Sequence, residues 1–345
     1  MWKKVVMGIL LAISVLAGFF AAKAQVIFNN SLNQVNRDYD TALANVDLSG
    51  IKVNSDDQIV NILLIGNDYR EEKGYGASGL TDTMIIATMD MKHGTLKLTS
   101  LMRDLVVEIP GHGKNKLNAA NSFGGVELLY KTIATNFNIE LDGYVEVGFS
   151  AFTKVVDKVG GVEAELTESE ASYLNSTNYI RKKSSRNVKV GKQTLDGAQA
   201  LGYCRIRKGG VTTITGLRDD YGRTWRQRTI INAVFNKVKK MPMSDWLDIA
   251  NSVLKKVTTD LTNEQITDYM KDVVGMGTTT VYQLQIPVQG YFRSGQNGEY
   301  SCGSCIVMTS GGSAWDTSAN AEALNQFVFE YDGKGDFEYS RGSGE

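Results

Sequence analysis

The sequence has few of the residues that build disulfide scaffolds, histidine metal sites or proline-rich linkers. Its 345 residues include three cysteines, two histidines and three prolines. These numbers exclude a dense disulfide framework, a histidine-rich metal site and a collagen-like chain, respectively. The chemistry of this protein must therefore rest mainly on Asp, Glu, Arg, Lys and hydroxyl groups.

The chain also lacks an excess of either charge. Its 37 Lys and Arg residues are balanced by 38 Asp and Glu residues, so the net charge is −1 at pH 7. A protein that coats nucleic acid needs a basic surface, and this balance argues against a nucleic-acid partner. Apolar residues make up 42% and charged residues 22% of the chain, which is the composition of an ordinary globular protein.

An apolar stretch lies at the N-terminus. Two lysines precede the 18 uncharged residues 5–22, which as a helix would span roughly 27 Å and cross a hydrocarbon core. The order predicts a cytoplasmic tip and a transmembrane anchor over residues 1–24, with the C-terminal part outside the cell membrane. A cleaved signal peptide is the alternative, because residues 22–24 have the small-x-small pattern, and the protein would then be secreted.

The rest of the chain divides into three segments. Residues 25–56 are polar with a weak helical pattern, and we interpret them as a juxtamembrane stalk. Residues 57–331 alternate between strand and helix signals without a clear boundary, which predicts a single layered α/β domain with a mixed central sheet flanked by helices. Residues 332–345 are rich in Gly and Ser and predict a flexible tail.

Apolar runs and periodicities locate the elements of this domain. Short apolar or alternating runs predict strands over residues 59–66, 83–89, 95–101, 144–149, 162–166 and 281–286. Apolar residues at helical spacing predict helices over residues 126–137, 149–159, 220–241, 244–257, 262–275 and 318–331. Residues 167–190 are polar and basic without a period, so we interpret them as a long surface excursion.

Two carboxylates lie at predicted strand ends. Asp68 follows the first strand of the domain, and Asp82 opens the next. If the two strands are neighbours, the carboxylates converge at one edge of the sheet, the usual place for a site in α/β folds. Oxygen ligands of this kind suit a magnesium ion (Mg2+). The alternative is that each Asp only caps a turn.

Arginines cluster further along the chain. Arg205 and Arg207 are two residues apart, and in an extended segment both side chains point to one face. Arg223, Arg226 and Gln227 share one face of the following predicted helix. Residues 205–228 carry six arginines and one lysine against two aspartates, a local charge of +5. Guanidinium groups at a helix N-terminus suit phosphate or pyrophosphate, whereas the alternative is a basic surface face.

The order of these motifs resembles the LytR-CpsA-Psr family of cell-wall glycopolymer transferases. The first matching stretches are LLIGNDYR (63–70), TDT (81–83), SLMRD (100–104) and KLNAA (116–120). They are followed by GGV (160–162), the run from Gly191 to Arg207, and the motif Asp220-x-x-Arg223-x-x-Arg226-Gln227. The resemblance covers roughly residues 57–241, with weaker similarity to residue 331.

The resemblance implies an enzyme in an extracellular domain over residues 57–331, whose α/β fold has an apolar pocket for a lipid. Such an enzyme transfers a glycopolymer with one phosphate from a polyprenyl-pyrophosphate carrier to a peptidoglycan sugar hydroxyl and forms a phosphodiester. It attaches polymers such as teichoic acid or capsule to the cell wall. Two alternatives stay open: a non-catalytic binder of the lipid-linked glycan, and a pyrophosphatase that acts on it.

The resemblance also assigns roles to individual residues. Asp68 and Asp82 match the acidic positions that arrange magnesium and pyrophosphate, and they are the expected catalytic residues together with Arg103. The residues that match pyrophosphate contacts are Arg103, Arg205, Arg207, Arg223, Arg226 and Gln227. This sequence departs from the family at Leu80, where an arginine is usual, and at Met102, where a proline is usual.

Overall fold

The structure is a computed structural model. It describes residues 42–67, 81–208, 210–242, 252–278, 280–296, 298–301 and 303–337, together with residues 30, 32, 33, 35–38, 245, 248 and 249. The predicted anchor, Asp68, Leu80 and the end of the predicted tail lie outside these residues. No helix within the described ranges is long and apolar enough to cross a membrane.

A seven-stranded mixed sheet forms the centre of the fold. Its strands, in spatial order, are β1 (Asn36–Arg37), β10 (Val257–Thr259), β7 (Gly143–Gly148), β2 (Ile59–Asn67), β3 (Thr83–Asp90), β4 (Thr95–Leu101) and β11 (Val281–Ile286). The meander from β2 to β4 is antiparallel, whereas β7 joins β2 and β11 joins β4 in parallel. The mixed central sheet is therefore confirmed.

Two smaller sheets accompany the central one. The first contains β12 (Phe292–Ser294), β13 (Ile306–Met308), β5 (Leu105–Ile109) and β6 (Gly113–Lys116), and the second is the hairpin of β8 (Val162–Leu166) and β9 (Gly191–Leu195). The α-helices are α1 (Leu117–Phe137), α2 (Phe149–Lys158), α3 (Glu168–Ser176), α4 (Gly197–Arg205), α5 (Asp219–Val238), α6 (Asn263–Met276) and α7 (Ser318–Asn325).

One face of the central sheet packs against α1 and α7. The sheet contributes Leu63, Met84 and Ile86, all nearly inaccessible to solvent, and α1 contributes Leu129 and Ile133, four residues apart on one side of the helix. Strand β2 is buried along most of its length because helices cover both sides of the sheet. This is why its sequence is a continuous apolar run instead of an alternating one.

A second lobe, residues 149–206, has a core of its own. It consists of α2, α3, α4 and the β8–β9 hairpin, and it buries Val162, Leu195 and Tyr203. The long helix α5 joins the two parts: Ile230 packs into the core of the second lobe, while Thr224 on the other side of the helix contacts Gln285 of β11. Residues on different faces of α5 therefore belong to different parts of the molecule.

The structure adds to or corrects three predictions of local structure. Residues 167–190 are not wholly irregular, because α3 begins there with a capping box in which Thr167 and Glu170 bond each other's backbone N–H groups. The helix predicted from residue 126 is confirmed, and a further helical segment from Leu117 precedes it in α1, with non-helical dihedral angles at residues 124–125 between the two. Residues 257–259 form strand β10 where a helix over residues 244–257 was predicted to end.

A carboxylate–arginine cluster at the edge of the central sheet

The register of the central sheet determines which motif residues meet. Gly66 at the end of β2 pairs with Thr83 at the start of β3, and Met84 pairs with Leu101 at the end of β4. Because β2 and β4 run in the same direction and β3 runs against them, Asp82 and Arg103 emerge at the same edge. The prediction that polar groups gather at this strand end is supported for these two residues.

Arg103 is the centre of this cluster. Its guanidinium group bonds the carboxylate of Asp82, and its Nε lies 3.3 Å from Asp104 and 3.6 Å from Asp220. Burial by itself would lower the pKa of Arg103, but the charges of Asp104, Asp220 and Asp82 together raise it. One cation thus holds three carboxylates that come from three separate segments of the chain.

Asp104 and Asp220 lie within hydrogen-bonding reach of each other. Burial opposes the ionisation of Asp104. Its pKa is nevertheless lowered by the hydrogen bond from Lys116, whose Nζ is 2.8 Å away, and by the charge of the nearby Arg103. Burial raises the pKa of Asp220 despite the opposing charge of Arg223. Of the two carboxylates, Asp220 therefore takes up a proton at a higher pH than Asp104 does.

Arg223 and Gln227 bring polar groups without partners to this region. The side chain of Arg223 is 5% exposed, and its Nη1 lies 3.3 Å from Asp220. Its Nε, like the Oε1 of Gln227 one turn further along α5, is buried and has no hydrogen-bond partner among the described residues. Buried polar atoms are nearly always paired in native proteins, and the Nε of Arg223 is such an unpaired donor on a guanidinium group that contacts Asp220 in the cluster.

Arg226 faces the second lobe instead. Its side chain is fully buried, with Nε 2.7 Å from Glu170 and Nη1 3.1 Å from the carbonyl oxygen of Ile206. The prediction that Arg223, Arg226 and Gln227 share one helical face was wrong for Arg226, because its partner belongs to α3, which the sequence analysis missed. A contact of Arg226 with pyrophosphate stays a prediction.

Arg205 and Arg207 are also placed differently from the prediction. Arg205 is the last residue of α4, not part of an extended segment, and its guanidinium group lies over the rings of Phe149, at 5.0 Å, and Tyr179, at 5.7 Å. Arg207 follows two residues later and is half-buried. Within the described residues, no hydrogen bond or ion pair joins either arginine to the cluster around Arg103, so their pyrophosphate contacts stay predictions.

The proposed metal ligands are only partly described. Asp82 is 39% exposed at its side chain, as a ligand for an incoming cation must be, while Asp68 lies outside the described residues. Among the residues that the structure describes, no group of three or more His, Cys, Asp and Glu side chains is arranged to hold a metal. A magnesium ion needs only one or two protein carboxylates when substrate phosphates complete its shell, so Asp82 fits such a site.

A model of the LytR_cpsA_psr family matches residues 24–308 of the chain. The chain belongs to this family.

Relatives and solved structures agree with this assignment. The chain is 30% identical over 288 residues to the Bacillus anthracis protein named polyisoprenyl-teichoic acid–peptidoglycan teichoic acid transferase TagU, and the match covers 83% of this chain and 87% of the relative. It is 30% identical to TagT of Bacillus subtilis, with 80% of each chain covered. A structure of TagT with bound octaprenyl pyrophosphate superposes with a TM-score of 0.56 at 23% identity, covering 80% of this chain and 93% of that one.

One further arginine lies just outside the LytR_cpsA_psr motifs. Arg228 is 1% exposed, with Nε 3.2 Å from Oε1 of Gln283 and Nη1 3.5 Å from Oε1 of Gln285. Within the described residues it has no carboxylate partner, and burial lowers its pKa to about 9. In the sequence, Arg228 was noted only as part of the local charge of residues 205–228. The polar pair Gln283 and Gln285 in an otherwise apolar strand was the available signal.

Proposed function

We propose that this protein transfers a glycopolymer with one phosphate from a polyprenyl-pyrophosphate carrier to a sugar hydroxyl of peptidoglycan, forming a phosphodiester. The names of its relatives support this reaction class. The observation that carries the proposal is the cluster around Arg103. There, two buried or half-buried guanidinium groups lie beside an exposed carboxylate, and polar atoms are left without partners.

The diphosphate of the donor binds between Arg103 and Arg223. Both side chains are already held by Asp220, so their positions are set before the donor arrives. Guanidinium groups bind phosphate through two parallel hydrogen bonds, and the free Nε of Arg223 supplies one further donor. In the transfer, these charges stabilise the negative charge that grows on the departing polyprenyl phosphate.

Asp82 is the residue best placed to act on the acceptor. Its carboxylate is the most exposed of those that bond Arg103, so a sugar hydroxyl can approach it. We assign Asp82 or Asp68 as the group that accepts the proton of that hydroxyl as its oxygen attacks phosphorus. Asp68 and Asp82 would also hold Mg2+, which when bound neutralises charge on the diphosphate.

We place the prenyl chain of the donor along the apolar sheet face beside α5. Leu64 and Ile85 are paired on the sheet face that lies under α5, and α5 presents Ile231 and Phe235 on the same side as Arg228. Both α5 residues are half-buried and lie outside the packed apolar clusters of the described residues. The helix extends about 18 Å from Arg223 to Phe235, a length over which several isoprene units can be covered.

The membrane location completes the proposal. A donor with a prenyl chain stays in the bilayer, and the apolar residues 5–22 would hold the enzyme at the same surface. We therefore propose a single-pass membrane protein whose domain over residues 57–331 faces the cell wall.

A transfer assay separates this function from its alternatives. Full-length protein in detergent is incubated with a polyprenyl-diphosphate-linked glycopolymer, peptidoglycan and magnesium, and the products are separated by mass. We expect a wall conjugate with one phosphate at the junction, and loss of activity on chelation of magnesium. Free phosphorylated glycopolymer without conjugate would instead identify a pyrophosphatase, and intact bound donor would identify a carrier.

Variants link the assay to the assigned residues. Asp82→Asn keeps the shape of the side chain and removes the charge, and we expect it to lower kcat by about 100-fold or more. Lys271→Gln is the matched surface control, because its ion pair with Asp268 is largely exposed. Full activity of Asp82→Asn would refute the assigned role.

A further inference from the structure

A second group of arginines lies in the second lobe, apart from the cluster around Arg103. A cavity of about 370 Å3 is lined by Asn178, Tyr179, Arg181, Arg186 and Arg205. Three of its five lining residues are arginines and none is acidic. We propose that this cavity, here called the arginine pocket, binds a phosphate group within the glycopolymer chain of the donor. The proposal rests on the proposed function, and it applies to donors whose polymer carries phosphate along its length.

The arginine pocket is formed before any ligand binds. The guanidinium group of Arg205 is half-buried and stacks on Phe149 and Tyr179, which restrict its position. Arg186 is also half-buried, and its Nε donates to the carbonyl oxygen of Ile180 at 2.7 Å. Two of the three cations are therefore oriented by protein groups that leave their other N–H donors available.

No carboxylate in the surrounding segment neutralises these charges. Residues 171–195 contain six Lys and Arg residues and no Asp or Glu, in a chain whose net charge is −1. Within the described residues, neither Arg181 nor Arg205 forms an ion pair. Like charges held around one cavity repel each other, so an anion that enters the cavity is stabilised by all three. A solvated basic surface would not need the aromatic supports that hold Arg205.

The position of the pocket connects it to the diphosphate site. Phe149, which supports Arg205, directly follows Gly148 of β7, and Gly148 pairs with Asn67 of β2. The next strand is β3, which begins beside Asp82. Phe149 and Asp82 are thus separated by two strand spacings, or about 10 Å. Arg103 follows β4, one strand further, so its backbone is about 15 Å from that of Phe149. A short run of sugar or polyol units spans this distance, so one donor can place its diphosphate at Arg103 and a later phosphate in the arginine pocket.

The chemistry of the pocket favours phosphate over other anions. Arginine side chains match the geometry of phosphate oxygens with paired N–H donors, and three guanidinium groups suit a group with several charged or polarised oxygens. A phosphodiester within the donor polymer is tethered to the diphosphate and therefore has a high effective concentration at the pocket. Carboxylates of the peptidoglycan acceptor have no such tether.

The test compares two donors of equal length. Both carry the same prenyl diphosphate, but one polymer contains phosphodiester units and the other is a neutral glycan. The double variant Arg181→Gln/Arg186→Gln leaves Arg205 in place. We expect it to raise KM for the phosphate-containing donor about 10- to 100-fold, because two charge-assisted hydrogen-bonding groups are lost. The KM for the neutral donor and the kcat for both donors should change little.

The control removes the same charge from the same segment. Lys189→Gln/Lys192→Gln changes two exposed lysines that do not line the cavity, and it should leave both donors unchanged. The proposal is overturned if the arginine variant affects both donors equally or neither, or if the lysine control has the same effect. It is also overturned if the arginine variant impairs only use of the peptidoglycan acceptor.

An equilibrium measurement keeps this test separate from that of the proposed function. A short polyol-phosphate oligomer without lipid is titrated into the wild-type protein and into the double variant, with circular dichroism to confirm that the variant is folded. We expect binding by the wild type that falls at least tenfold in the variant and weakens with salt. If the wild type binds the oligomer but transfers neither donor, the proposed transferase function fails while the pocket stands. Absence of binding refutes the pocket.

Discussion

Helix α5 carries two arginines, three residues apart, that lie in contrasting regions. Arg226 meets a single carboxylate, Glu170, and both side chains are fully buried in the second lobe. Arg223 shares Asp220 with Arg103 at the sheet edge, where Asp82 is exposed and polar atoms lack partners. The first region is closed to solvent, and the Nη2 of Arg226 is buried there without a partner among the described residues, whereas the second includes an exposed carboxylate that a ligand can reach. The contrast indicates that access from solvent, more than residue type or completeness of pairing, separates a structural arginine from a binding one.

The largest effect is expected for a variant that disrupts the closed region around Arg226. Glu170→Ala leaves the guanidinium group of Arg226 buried without its carboxylate, which should lower the free energy of unfolding by about 3–5 kcal/mol. Urea unfolding followed by circular dichroism measures the change. The double variant Glu170→Leu/Arg226→Met removes both charges and should recover most of the loss. A cost below about 1 kcal/mol for Glu170→Ala would show that Arg226 does not depend on this pair.

The next largest effect is expected for a variant that disrupts the cluster around Arg103 at the sheet edge, the open region. Arg103→Ala should lower kcat/KM for glycopolymer transfer by about 100- to 1000-fold, since a charge-stabilising group is lost, while the unfolding midpoint changes little. Arg103→Lys keeps the charge but not the paired donors and should recover only part of the activity. If Arg103→Ala unfolds the protein as Glu170→Ala does, the distinction between the two regions is wrong.

Arg228 adds a third case to this comparison, because it is buried like Arg226 but its hydrogen-bond partners are two neutral glutamines. Replacing it with methionine removes an unpaired buried charge and should stabilise the protein by about 1 kcal/mol. Its folded-state pKa of about 9 is below its ordinary value of 12.5. Between these values the unfolded chain binds more protons, so stability should rise with pH.

The pH dependence provides the readout for Arg228. Urea unfolding of the wild type and of Arg228→Met is compared at pH 8 and pH 10.5, and the variant should lose its stability advantage over the wild type at the higher pH. An unchanged difference would mean that Arg228 keeps its charge in the folded state throughout this range.

The smallest expected effect concerns Cys204, in the closed region beside Arg226. Burial raises the pKa of its thiol to about 12, so at pH 8 its thiolate should be scarcer by about 1000-fold than that of an ordinary cysteine. Alkylation with iodoacetamide, followed by peptide mass analysis, should leave Cys204 unmodified in the native protein and modify it in urea. Rapid native labelling would show that this core opens readily.

Local patterns were sufficient to predict most of the sheet. Strands β2, β3 and β4 begin where their apolar runs begin. A buried strand requires apolar side chains at nearly every one of a few successive positions, and such a run is visible in the sequence. Helix α3 was not predicted because its many polar residues obscure the helical spacing of its apolar residues. The capping residues Thr167 and Glu170 were the available signal. Helix α6 was predicted within one residue of its bounds by its amphipathic pattern.

The sequence by itself determined the α/β class, the strand-end carboxylates and the family, because each depends on residues that are close along the chain or on the order of motifs. Only the tertiary structure decided which charges meet. The register of β3 between β2 and β4 brings Asp82 to Arg103, and the packing of α3 gives Glu170 to Arg226. Charges interact over a few ångströms in space irrespective of their separation in sequence, so partners many residues apart follow only from the fold.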